Sequence, residues 1–98
     1  MKPHARLDAT GARLKVGDVV RVVGIPDLKG MTRSGVRETL PVFRYLVGKY
    51  KRVGAFDSRG CVELSFSIRG IANGSVIHTV WLEPFLVRIR RRRSIGVV

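Results

Sequence analysis

Residues 46–68 read LVGKYKRVGAFDSRGCVELSFSI, and this stretch decides the fold because it has the form of one β-hairpin with a definite inside and outside. Val62, Leu64, Phe66 and Ile68 alternate strictly with Cys61, Glu63, Ser65 and Ser67, which gives one apolar and one polar face. That is the pattern of a strand buried on one side. Ahead of it, Phe56-Asp57-Ser58-Arg59-Gly60 carries turn chemistry. Asp57 can accept from the backbone two residues on, and Gly60 takes positive φ without a Cβ clash. The turn is expected to join a strand at Lys51–Phe56 to one at Cys61–Ile68. A lone hairpin is marginal in water, so the rest of the chain must supply the sheet that covers its apolar face.

Toward the N-terminus, Lys15–Val23 reads as the first strand, rich in β-branched residues, with Val20 and Val22 on one face and Val19, Arg21 and Val23 on the other. Gly17-Asp18 bends into it, and Gly24-Ile25-Pro26-Asp27 ends it, because Pro26 lacks a ladder N–H and restricts Ile25. Gly24–Arg37 reads as a long loop. Thr39–Leu46 is expected to form a turn or two of helix capped by Thr39, with Val42, Phe43 and Leu46 as a lid on the core. Toward the C-terminus, Arg69–Ser75 is a turn segment containing Asn73-Gly74, and Val76–Leu82 is the fourth strand. Glu83-Pro84-Phe85 breaks it with a single helical turn. Leu86–Arg90 is the fifth strand, with Val87 and Ile89 opposite Arg88 and Arg90. The expected class is all-β, a small five-stranded, partly open barrel over residues 14–90. A mobile arm at 1–13 precedes it and a flexible basic tail at 91–98 follows.

Ninety-eight residues suffice for one domain with a modest core, and a hydrophobic fraction of 45% argues against a disordered chain. No apolar run is long enough to cross a bilayer and the first residues lack a secretory signal, so a soluble, cytoplasmic protein is expected. One cysteine and two histidines cannot furnish an internal disulfide or a four-ligand zinc site of the usual spacing. The net charge of +12 is unevenly distributed. Residues 31–54 hold six basic side chains against one acidic, and residues 88–98 hold five basic and none acidic. Residues 55–87 hold two basic against three acidic. Solubility needs far less charge than this, so the bias points to a polyanionic partner.

The order GDVVRV (Gly17–Val22), VGK (Val47–Lys49) before a hairpin, and WLEPFLVRI (Trp81–Ile89) resembles the Src-homology-3-like barrels of bacteria. Gly48-Lys49-Tyr50-Lys51-Arg52-Val53 is similar to the KOW motif of ribosomal and transcription proteins, with Lys51 where that motif has its second glycine. Leu40-Pro41-Val42-Phe43-Arg44-Tyr45 ahead of the glycine-lysine pair is similar to a segment in the nitrile hydratase β-subunit and the photosynthetic electron-transport accessory proteins. The resemblance implies the barrel. For function it implies only docking, a role such barrels fill in many unrelated systems.

No constellation for catalysis assembles. His4 falls in the arm, His78 reads as a barrel residue with its apolar body packed, and the carboxylates are isolated singles. No catalytic residue, metal, cofactor or small-molecule substrate is therefore assigned, and the chain is expected to be a non-enzymatic binding module, monomeric on its own. In the favoured form Arg44, Lys49, Lys51 and Arg52 make a basic edge, joined by Arg33 and Arg37 and by Arg88, Arg90, Arg91, Arg92 and Arg93. These would hold phosphates of RNA or single-stranded nucleic acid, with Tyr45, Tyr50 and Trp81 offering stacking faces and little sequence specificity. In the alternative, the same cations rim an interface with an acidic protein surface, the long loop and the Phe43–Tyr45 segment supply its apolar centre, and the chain is an accessory subunit or adaptor. The four consecutive arginines at 90–93 favour a dense line of phosphates.

Overall fold

The computed structural model describes residues 4–68 and 76–90. The expected Asn73-Gly74 turn, the flexible tail and its arginines at 91–93 lie outside the described residues.

In chain order the elements are β1 (Val19–Val22), α1 (Arg33–Leu46), β2 (Tyr50–Arg52), β3 (Ala55–Phe56), β4 (Val62–Ile68), β5 (Val76–Leu82), a 3₁₀ turn at Pro84–Leu86 and β6 (Val87–Ile89). They form two antiparallel three-stranded sheets, ordered β2-β1-β6 and β3-β4-β5. The β4–β5 register runs from Val62 opposite Leu82 to Ile68 opposite Val76. The inward alternation holds within the strands, with Val20 and Val22 of the first sheet and Val62, Leu64 and Phe66 of the second buried, but Cys61, expected on the polar face, lies just ahead of β4 and is buried too. Both sheets share one core with Val53, Leu82, Val87 and Leu14, and α1 adds Phe43 and Leu46.

The tight turn forms as its chemistry requires. The Asp57 carboxylate accepts from the N–H groups of Arg59 and Cys61, and Gly60 sits at φ 81°. A Cβ on Gly60 would collide with the carbonyl of His4, so glycine is demanded there twice.

Four expectations need correction. The strand expected at Lys51–Phe56 is two strands in two sheets, six strands in all among the described residues. Val53 is fully buried between them, its N–H donating to Asp18, and the next N–H, of Gly54, already donates to Glu63 across the second sheet. One extended segment thus hands over from one sheet to the other.

The first strand is shorter than expected, because Lys15–Asp18 closes on itself as a turn. The Lys15 N–H donates to the Asp18 carboxylate at 2.8 Å, and the Asp18 N–H donates back to the Lys15 carbonyl.

The helix expected at Thr39–Leu46 forms but begins earlier and takes in the end of the expected loop, Arg33–Arg37, while residues 24–32 stay non-helical. α1 starts at Arg33 with Thr32, not Thr39, as its cap, the Thr32 hydroxyl accepting from the Gly35 N–H at 3.1 Å. Val36, Thr39, Leu40, Val42, Phe43 and Leu46 fall on the buried side at spacings of three and four. Pro41 faces outward, where water can satisfy the Arg37 carbonyl that loses its helical donor.

Residues 4–13, expected as a mobile arm, are tied to the body. A bridge between Leu7 and Arg13 folds them into a small loop. The Ala9 N–H donates to Val87, the His4 N–H donates to Arg59, and the Asp8 carboxylate accepts from the Ile89 N–H at 2.7 Å. This loop covers the edge of β6 that the sheet leaves unpaired. No helix among the described residues is long and apolar enough to cross a membrane.

Candidate nucleic-acid interface

The outer face of the first sheet is built by register. Arg21 on the central strand lies directly opposite Tyr50 of β2 on one side and Arg88 of β6 on the other. Two residues back along β1, Val19 lies opposite Arg52, and its carbonyl accepts from the Arg90 N–H. The alternation that buries Val20, Val22 and Val87 turns Arg21, Arg88, Tyr50 and Arg52 outward. The result is two parallel rows, Tyr50–Arg21–Arg88 and Arg52–Val19–Arg90. Arg21, Tyr50, Arg88, Ile89 and Arg90 line an open cleft of about 290 Å³ on this face.

The electrostatics are one-sided. Like charges directly opposite in a ladder cost stability, and Arg21 faces Arg88 without relief: among the described residues no ion pair neutralises Arg21, Arg88 or Arg90. The ion pair that does form joins Arg59 to Asp57 at 3.8 Å, on the β3–β4 turn. Asp8, the carboxylate bonded to β6, is already engaged. One of its oxygens accepts from the Thr10 N–H, the Thr10 hydroxyl and the Ala12 N–H, the other from the Ile89 N–H. Burial alone would push the Asp8 carboxyl up, but these donors outweigh it and hold it below the usual carboxylate value. Such a carboxylate braces the strand that carries Arg88 and Arg90 rather than answering their charge.

The side chains expected to bind are spread over more than one surface. Arg52, Arg88 and Arg90 are exposed on the face just described, and the Arg52 guanidinium is anchored by a 3.2 Å bond to the Gly17 carbonyl. Tyr50 is exposed beside Arg21. Arg33, Arg37 and Arg44 form an exposed stripe along α1. Lys51 points to the other side of β2 from Tyr50 and Arg52, with its ammonium 5.5 Å from the Phe66 ring centre. Lys49 lies 5.4 Å from the ring centre of Tyr45. Tyr45 stacks on Phe66, and Phe66 stacks on His78, at ring separations of 6.0 and 5.7 Å. Trp81 stands on the outer face of the second sheet, opposite Glu63. Phe43 is buried in the core, which removes it from any stacking or interface role.

Arg21 was not among the basic residues expected from the sequence to bind, yet it stands at the centre of this face. The VVRV pattern puts it on the outward side of β1, and only the sheet order places that strand between two neighbours. Burial pushes the Cys61 thiol up, the Asp57 and Glu83 carboxylates add to this, and Arg59 opposes it, so at neutral pH the sulfur stays protonated. Among the described residues no three His, Cys, Asp or Glu side chains group to hold a metal. Comparison with known proteins finds no matching family model, no matching curated protein and no matching solved structure.

Proposed function

We propose that this chain is a non-enzymatic, cytoplasmic binding module that holds RNA or single-stranded nucleic acid by its phosphates, on a Src-homology-3-like barrel formed by the two sheets around their shared core. The observation that carries the reading is the pair Arg21 and Arg88, joined to no carboxylate among the described residues and flanked by Tyr50, Arg52 and Arg90 on one sheet face. Guanidinium forks match phosphate oxygens, and an adjacent exposed tyrosine offers a face on which an unpaired base can stack. The Arg33–Arg37–Arg44 stripe extends the positive field beyond the face and assists capture rather than specificity.

Purification from the native host at low salt, with and without nuclease, tests the reading. Co-purifying nucleic acid that moderate salt strips away is the expected result. A nucleic-acid-free preparation with one stoichiometric acidic protein would overturn it in favour of a docking subunit.

A further inference from the structure

We infer that the outer face of the first sheet seats one dinucleotide step of a single strand running along β1, with a base on Tyr50 and successive phosphates at the Arg21/Arg88 and Arg52/Arg90 pairs. This rests on the nucleic-acid reading and gives it a path. Positions 19 and 21 of β1 both face outward, so the two arginine rows are spaced by two strand residues, about 6.7 Å. That spacing is comparable to one nucleotide step of an extended backbone. In the first row Arg21 is the middle member, and it shares its anion with Arg88 on one side while Tyr50 stands on the other. In the second row the middle member is the short, half-buried Val19, which leaves a saddle over which the long Arg52 and Arg90 side chains can converge. Arg52 spends one guanidinium nitrogen on the Gly17 carbonyl, which fixes its position and leaves further donors for an anion.

The tyrosine separates this ligand from other polyanions. Tyr50 is 53% exposed, and neither a ring stack nor a cation contact occupies its ring among the described residues. A polyphosphate or an acidic peptide would use the arginines alone. A base in a duplex cannot turn its face to the ring without unstacking, so the site selects the single strand.

Competition against a fluorescent single-stranded oligonucleotide tests the site, with a 5′-phosphorylated dinucleotide and tripolyphosphate as competitors. The dinucleotide should compete about tenfold better than tripolyphosphate. Tyr50→Ala should erase that advantage and leave tripolyphosphate unchanged, and Tyr50→Phe should keep it. A dinucleotide advantage that is absent, or that survives Tyr50→Ala, would overturn the site. If the unaltered chain still binds RNA in that case, the proposed function stands without this path; if it binds no nucleic acid, both fall.

Discussion

Arg21 and Arg88 sit directly opposite one another across the β1–β6 pair, and among the described residues no ion pair joins either to a carboxylate. Side chains so placed have Cβ atoms about 5 Å apart, and the repulsion is a standing cost to the fold. A bound phosphate would relieve that repulsion, which is the role proposed for the pair.

Replacing Arg88 by Gln should therefore leave the protein as stable or raise its stability by up to about 1 kcal/mol at low salt. The same change should weaken oligonucleotide binding. Urea unfolding beside a binding titration checks both, and a variant that loses stability would show that Arg88 is structural.

Asp8 should make stability fall in acid. Its folded-state pKa lies below the ordinary carboxylate value, so the stabilisation is fully present above the unfolded value near 3.8 and is lost as pH drops through the folded one. Asp8→Asn should cost about 1–3 kcal/mol at pH 7, because three backbone N–H groups and a hydroxyl lose a charged acceptor. Urea midpoints at pH 7 and pH 2.5 should show the gap between variant and parent narrowing in acid. A constant gap would place the role of Asp8 elsewhere.

Gly60→Ala should be more damaging than Gly48→Ala. Both positions have φ above 80°, which costs a side chain about 1–2 kcal/mol. At Gly48 the nearest atom to an added Cβ is a terminal nitrogen of Arg21 at 3.8 Å, an ordinary contact. At Gly60 the methyl meets the His4 carbonyl, so the N-terminal segment must also shift. Equal losses would mean that the His4 contact contributes nothing.

Phe43 and Tyr45 should separate core from surface. Phe43→Ala empties a core position and should cost about 3–5 kcal/mol. In the fraction that remains folded, affinity for nucleic acid should be unchanged. Tyr45 is 38% exposed and should cost less. A docking protein lost on Phe43→Ala at temperatures where the variant is still folded would revive the interface that the burial of Phe43 argues against.

Local chemistry was the most legible part of the chain. The Asp57–Gly60 turn, the alternation of Val62–Phe66, the strand at Val76–Leu82 and the helical turn after Glu83 each depend on a few neighbouring residues and appear where the residues put them. The C-terminal half of α1 was legible at Thr39–Leu46, but its start was hidden because Gly35 interrupts the residue pattern there, while the Thr32 cap fixes where the helix begins. The handover at Val53–Gly54 was hidden because periodicity cannot say which sheet a strand joins. The arginine rows were half legible. Arg52, Arg88 and Arg90 stood out as charge, but Arg21 acquires its meaning only from a register that pairs residues 67 positions apart.

The most direct test of the central claim is the salt dependence of binding to a short single-stranded oligonucleotide, measured for the parent chain and for an Arg21→Gln/Arg88→Gln double variant. Removing the pair that shares one phosphate should flatten the slope of log K against log salt by about 0.7, the value for one contact on a single strand. A double variant that weakens binding without changing the slope, or changes neither, would contradict the claim that these two arginines hold phosphate.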